Sequence, residues 1–257
     1  MQPVKGQGLS SMRLKSLLYS CTLRAMSSTT SSLGEQKDLL RKRIAEQIKK
    51  LDPQEIERQS RIITKHVLQL PAYQDAKSIA VFLSMPAGEV STRDIVLHAF
   101  DDGKSVFVPY LHAGDAPKSR VMTMLQLHDQ ADFESLKPDA WGIPSISKDS
   151  VERRRNALGG IGISNAPLEG QDHYPLLDLI LTPSVAFDQH HRRLGHGKGF
   201  YDRYLQTYKN ALDSSKAARK MPHLVGVALR EQLLPPGEEV PVTEHDWPVD
   251  EVVVAEN

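Results

Sequence analysis

Ser78-Ile-Ala-Val-Phe-Leu-Ser84 is a short, almost continuous apolar run. A strand with one wet face would alternate apolar and polar residues; this one does not, so both faces must be covered. That is how a buried strand of a parallel sheet reads. Val106 to Tyr110, Leu176 to Leu181 (running into Thr182-Pro183), Leu224 to Leu229 and Glu251 to Ala255 read as further strands, and Val121 to Leu127 as one with weaker alternation. Helical periodicity fills the gaps. Leu40, Ile44, Ile48 and Leu51 recur at helical spacing across Glu35 to Leu51,. Asp52-Pro53 is a start signal, an N-cap before a proline at the first helical position, and Ile56, Ile63, Val67 and Leu70 carry that helix toward Pro71,. Thr92 is expected to cap a helix through Phe100 that ends near Gly103, and Gly199 to Tyr208 is expected to be helical,. Strands separated by helices give an α/β class: a three-layer α/β/α arrangement on a mainly parallel sheet, in a single domain spanning 35–257.

Composition narrows the function classes. The chain has 257 residues, with 32 Lys plus Arg balanced by 32 Asp plus Glu. A phosphate-backbone binder carries a basic excess, so no nucleic-acid partner is expected. The lone cysteine, Cys21, excludes an internal disulfide framework,. No apolar stretch reaches about 18 residues, so no membrane-spanning helix is expected. The expectation is a soluble, intracellular and monomeric protein.

Residues 1–34 differ from the rest. They hold Lys5, Arg13, Lys15 and Arg24, eight serines, and no acidic residue before Glu35. Basic, serine-rich and acid-poor composition is that of a mitochondrial targeting segment, and it also suits a plain disordered tail. Met12 and Met26 are alternative starts. The expected location is the cytoplasm, with the mitochondrial matrix as the alternative if this segment targets.

Chemistry concentrates in Asp188-Gln-His-His-Arg-Arg-Leu-Gly-His-Gly-Lys-Gly-Phe-Tyr-Asp202, after a strand and at the start of a helix. Gly195, Gly197 and Gly199 alternate, so the backbone can turn tightly and meet a ligand without Cβ atoms in the way. Free amides there suit phosphate oxygens, and Arg193 and Lys198 add positive charge. Asp202 lies one turn on, where a carboxylate could hold magnesium. It is not a Walker A loop, because Gly199 stands where Ser or Thr is required. Nor is it the dinucleotide fingerprint, whose third glycine falls one residue later. On spacing alone a ligand-free glycine turn stays open as the alternative.

Arg193-Leu-Gly-His-Gly-Lys-Gly-Phe-Tyr-Asp-Arg-Tyr-Leu205 resembles the signature of the 5-formyltetrahydrofolate cyclo-ligase (5,10-methenyltetrahydrofolate synthetase) family. Other pieces match in order from about Glu35 onward: Lys37-Asp-Leu-Leu-Arg41, Phe82-Leu-Ser-Met85 with Glu89, Trp141-Gly-Ile-Pro144, Asp178 to Pro183, Ala186-Phe-Asp188, and Val240 to Asp246 followed by Val249 to Val252. The resemblance implies ATP- and magnesium-dependent closure of 5-formyltetrahydrofolate, with or without a polyglutamate tail, to 5,10-methenyltetrahydrofolate, releasing ADP and phosphate. It implies that Lys37, Asp38, Leu39, Leu40 and Arg41 meet ATP together with the loop Arg193, Leu194, Gly195, His196, Gly197, Lys198, Gly199, Phe200 and Tyr201. Lys198 and Arg193 take the catalytic roles. Leu83, Glu89 and Trp141 would meet the folate together with His196 to Phe200, and Asp202 and Asp246 would be the magnesium ligands. The chain departs from the family at His196, where arginine or tyrosine is usual, and at Phe200, which lacks the hydroxyl of the usual tyrosine.

Taken without the resemblance, these residues have plainer readings. Lys37 and Arg41 sit at i, i+4 and could be a solvated helix face; Glu89 could be a loop charge; Trp141 could be core; Asp246 could shape the turn before Trp247-Pro248. His190-His191 lacks a zinc ligand set. Arg153-Arg154-Arg155 reads as an exposed charge run. The regions 112–120 and 147–172 look expanded. An enzyme of a related α/β scaffold that turns over a sugar phosphate or thioester without ATP, and a folate- or nucleotide-binding protein without turnover, are the other classes the scaffold admits.

Overall fold

The structure is a computed structural model and describes residue 1 and residues 31–114, 116–117, 119–167, 174–215 and 219–256. The chain separates into Met1–Ser31 and Ser32–Asn257. The readings made for 2–30 lie outside the described residues.

The elements run α1 (Leu33–Ile48), α2 (Pro53–Gln69), α3 (Pro71–Asp75), β1 (Ser78–Val81), α4 (Arg93–Asp101), β2 (Ser105–Ala113), β3 (Arg120–Leu127), α5 (Gln130–Glu134), β4 (Lys137–Pro138), β5 (Pro144–Ser145), β6 (Leu179–Thr182), β7 (Ala186–Phe187), β8 (Arg193–Leu194), α6 (Phe200–Ser214), β9 (His223–Val227) and β10 (Glu251–Val253). Six strands form the central sheet in the order β10-β9-β6-β1-β2-β3. Its pairs are parallel except β2–β3, an antiparallel hairpin. The weaker alternation of 121–127 fits this: β3 is the edge strand of that hairpin.

Successive residues of the strands feed two cores, as the period of two requires. Ile79, Val81, Leu179, Leu181, Val225 and Val227 pack with Ile63 and Val67 of α2 and Ile95 and Ala99 of α4. Ala80, Ile180, Phe107 and Leu224 pack with Tyr204, Leu205, Tyr208 and Leu212 of α6. Helices therefore cover both faces, which makes the three layers. A third cluster joins Leu40 and Ile44 of α1 to Val185, Ala186, Leu194, Leu234 and Val240. It clamps α1 over the stretch that becomes the glycine loop.

Helix starts follow local chemistry. The Ser32 hydroxyl accepts the Glu35 N–H while Glu35 accepts the Ser32 N–H, a capping box that begins α1 two residues before the expected Glu35,. Asp52 caps α2 by accepting the Gln54 N–H at 2.7 Å, with Pro53 at the first position. Thr92 corrects an expectation. It precedes α4, but its side chain makes no cap; its hydroxyl donates to the Phe82 carbonyl at 2.6 Å. That bond helps fix residues 82–84, which leave the sheet after Val81 instead of continuing the strand.

The Arg153–Arg155 run is also not what it looks like in sequence. Arg154 is buried and forms a two-pronged pair with Asp132 at 2.6 and 2.7 Å, while donating to the Gln126 carbonyl. Residues 155–157 bond along β3, through Gln126 N–H to Arg155 O and Ala157 N–H to Met124 O. Part of the expanded region thus covers the open edge of the sheet, where unpaired backbone would otherwise invite association.

Candidate active site

The glycine loop starts from a tight hairpin, β7–β8, and ends at α6. Gly197 (φ 88°) and Gly199 (φ 61°) both sit in the left-handed region, which explains glycine at these positions,. Gly199 occupies the N-cap of α6 without any side-chain cap. The first-turn amides of this 15-residue helix therefore face outward at the positive end of its dipole, an arrangement suited to an anion.

Helix α1 reaches this loop. Arg41 Nε donates to the Gly195 carbonyl at 2.9 Å, and its guanidinium also meets Asp38 at 2.6 Å. Lys37 Nζ pairs with Asp246 Oδ2 at 2.7 Å. Leu39 is 61% exposed beside them, whereas Leu40 and Leu194 put their side chains into the third cluster. Lys198 is exposed and meets no acidic or carbonyl partner among the described residues. His196 is open to solvent on one side, but crowding by protein atoms and the Arg41 charge hold its pKa below the usual imidazole value.

The two carboxylates matched to magnesium lie on neighbouring elements. Asp202 Oδ1 accepts from Arg193 at 2.5 Å and from the Trp247 N–H at 3.1 Å. Asp246 Oδ2 accepts from Lys37, the Thr243 N–H and the Thr243 hydroxyl. Burial works to raise the Asp246 pKa, but Lys37 and Thr243 together hold it below the usual range. Each carboxylate therefore commits one oxygen, and neither Asp202 Oδ2 nor Asp246 Oδ1 has a hydrogen bond among the described residues. The Arg193 guanidinium, 5% exposed, is turned inward onto Asp202 and the Trp247 carbonyl. A buried cation beside a carboxylate is held there by the cost of leaving it unpaired.

A cleft of about 420 Å³ is lined by Ile56, Leu83, Met85, Pro86, Glu89, Phe133 and Pro144 among others. Glu89 accepts the Met85 N–H at 2.8 Å, and burial pushes its pKa up to about 7. Its charge also reaches Tyr201 in the first turn of α6, whose pKa is raised first by burial and then by Glu89. The Tyr201 hydroxyl is buried with no hydrogen-bond partner among the described residues. Trp141 is 57% exposed, not core; the Arg120 guanidinium lies 5.9 Å from its ring centre. Its turn is seated on the cleft rim: a Cβ on Gly142 would lie 2.6 Å from Pro86 Cγ.

The Glu89 shift has a sign that can be tested. A carboxyl that titrates near 7 folded and near 4.5 unfolded makes the folded state hold its proton longer. Stability from this group is intact below about pH 4.5 and falls as pH rises to about 7. Glu89→Gln removes the ionisation cost, so it should gain stability relative to wild type between pH 5 and pH 8, by up to about 3 kcal/mol. Urea titrations at the two pH values check this; an equal difference at both would refute it.

The site joins loops far apart in the chain, and sequence reading missed some of its parts. The cleft walls Ile56 and Phe133 show no sequence sign beyond apolarity. Asp188 has no role that its motif alone reveals, yet it is fully buried. Among the described residues no group of three or more His, Cys, Asp or Glu is placed to hold a metal ion, and no helix is long and apolar enough to cross a membrane.

Comparison with known proteins agrees over nearly the whole folded unit. The model of the 5-formyltetrahydrofolate cyclo-ligase family matches residues 33–255. A Schizosaccharomyces pombe protein named a probable 5-formyltetrahydrofolate cyclo-ligase is 34% identical over 222 residues, covering 86% of this chain and 96% of the relative. A Mus musculus 5-formyltetrahydrofolate cyclo-ligase is 32% identical over 83% of this chain and 91% of its own. The NMR structure of Aquifex aeolicus 5,10-methenyltetrahydrofolate synthetase is similar at a TM-score of 0.57 and 25% identity, covering 86% of this chain and 90% of that one.

Proposed function

Because the chain belongs to the 5-formyltetrahydrofolate cyclo-ligase family, we propose that it converts 5-formyltetrahydrofolate to 5,10-methenyltetrahydrofolate by phosphorylating the formyl oxygen with ATP. A formamide oxygen is a poor leaving group. As a phosphate ester it can depart when N10 of the folate attacks the formyl carbon, closing the ring and releasing phosphate. The protein's part is positioning and charge stabilisation.

One observation carries this reading. Lys198, unpaired among the described residues, stands on a glycine loop at the uncapped start of α6, with Arg41 bound to the same loop and Glu89 of the cleft near enough for its charge to reach Tyr201. The loop amides would hold the triphosphate and Lys198 the transferred group. Leu83 and the apolar walls would hold the folate, Glu89 would accept from the donors of its pterin edge, and Trp141 would offer a flat face at the rim. Arg193 would act by fixing Asp202. Among the described residues Asp202 and Asp246 each keep an oxygen free, which fits a magnesium ion completed by water and phosphate oxygens,. Such an ion, when bound, offsets phosphate charge. Asp202→Asn should raise the magnesium concentration for half-maximal rate about tenfold; an unaltered magnesium titration would remove that assignment.

The test is to mix the purified protein with 5-formyltetrahydrofolate, ATP and magnesium and follow the near-ultraviolet absorbance of the methenyl product. ATP-dependent appearance supports the reading. Folate binding without product would make the chain a sequestering protein. We place the monomeric enzyme in the cytoplasm, or in the mitochondrial matrix if residues 1–34 target it; fusing them to a fluorescent reporter distinguishes the two.

A further inference from the structure

We propose that Asp188 is a positioning residue that sets the distance between the glycine loop and the segment carrying Asp246. This rests on the reading that ATP binds between them. The carboxylate closes β7 and is fully buried. A buried charge is tolerated only when its acceptors are filled, and here each oxygen takes two donors. Oδ1 accepts the N–H groups of His190 at 2.8 Å and Arg192 at 3.1 Å. Oδ2 accepts Arg192 Nε at 2.7 Å and the Val240 N–H at 2.8 Å.

These donors belong to two stretches. One is the turn between β7 and β8, where His191 takes a left-handed φ of 60° and after which the chain enters the loop at Gly195. The other begins at Val240 and reaches Asp246, which is paired with Lys37 of α1. Val240 also packs with Leu194 and with Leu40 of α1. Asp188 thus ties both walls of the triphosphate site to one rigid point without facing the ligand. Arg192 turns its outer edge to Glu239 at 3.0 Å, which adds charge balance on the solvent side.

Asparagine tests this because it has the same shape and half the acceptors. One of its two ends must present an NH₂ to two donors. With the amide nitrogen toward Val240, the turn keeps its two backbone bonds, while the Asp246 segment and the Arg192 side chain lose theirs. Asp188→Asn should raise the KM for ATP about tenfold to a hundredfold, the range for losing bonds to a charged group, and shift the magnesium titration the same way. The KM for 5-formyltetrahydrofolate should stay within about twofold. Arg192→Met keeps the stem and the Val240 bond, so its ATP KM should stay near wild type. In the wild-type protein itself, hydrogen exchange at the Val240 amide should slow on adding ATP and magnesium.

An unchanged ATP KM in Asp188→Asn, equal rises in both KM values, an Arg192→Met variant as impaired as Asp188→Asn, or a Val240 amide indifferent to ATP would each overturn the proposal. Wild-type turnover that ignores ATP would overturn the reading beneath it as well, so the two failures are told apart by the wild-type control.

Discussion

Lys198→Ala should lower kcat about a hundredfold to a thousandfold while folate binding stays within about twofold. The magnitude is that of removing one preorganised donor from a site where charge develops. The reason lies in what Lys198 lacks. Arg193 is already matched by Asp202, Lys37 by Asp246, and Arg41 by Asp38 and the Gly195 carbonyl. Those cations hold the frame. Lys198 is exposed and carries its charge on the loop with no partner to give up among the described residues. On the proposed reading, its ammonium would follow the phosphoryl group as it leaves ADP. Initial rates from the absorbance of the methenyl product, set against equilibrium binding of 5-formyltetrahydrofolate, separate the two effects. A variant with wild-type turnover would show that the transferred group is stabilised elsewhere; one that loses folate binding in proportion would make Lys198 a substrate contact only. Lys198→Arg should recover part of the rate, since charge is kept and only its placement changes.

The parts of this architecture that local chemistry determines were readable before the structure. The apolarity of Ile79–Val81 and Leu179–Leu181 follows from two-sided burial, and β1 and β6, which hold them, lie in the middle of the sheet. The Asp52-Pro53 start and the glycine loop were legible because caps and positive φ need particular residues. What could not be read depended on partners distant in sequence. Thr92 has the residue type of a cap, but a carbonyl at Phe82 competes for its hydroxyl and wins. Arg154 sits in a run that composition marks as exposed, and only the fold reveals that Asp132 lies against it. The same limit applies within the site. Arg193 and Lys198 are both cations in one glycine-rich loop, yet one is buried on a carboxylate and the other is exposed with no partner among the described residues. Neither spacing nor composition distinguishes them, because the difference is made by Asp202 and the Trp247 backbone. The start of α1 is the opposite case: Ser32-Leu-Gly-Glu35 is a capping-box pattern that a reading beginning at Glu35 passes over.

Gly197→Val should raise the KM for ATP by at least about a hundredfold. Two costs combine. The residue holds φ at 88°, a region where a β-branched side chain is strained by about 1–3 kcal/mol,. A Cβ there would also lie 3.3 Å from Arg41 Cζ and 3.4 Å from one of its terminal nitrogens, before the valine methyls are counted. The guanidinium must move, and with it goes the bond from Arg41 Nε to the Gly195 carbonyl that ties α1 to the loop. Losing that bond adds roughly another 1.5–3 kcal/mol. The fold itself should survive, because Gly197 is exposed and its neighbours in the core are not displaced. Both costs fall on the folded state, so thermal melting should drop by several degrees while the core stays packed and ATP saturation moves far. The contribution of Arg41 can be isolated. In an Arg41→Ala background the steric half of the penalty disappears and only the backbone strain is left, so the valine should cost markedly less there than in the wild-type protein. If the cost were the same in both backgrounds, Arg41 would not be what the side chain meets, and the packing of α1 against the loop would lose its role in holding ATP. If ATP affinity were normal in the single variant, the phosphates would have to bind somewhere other than this loop.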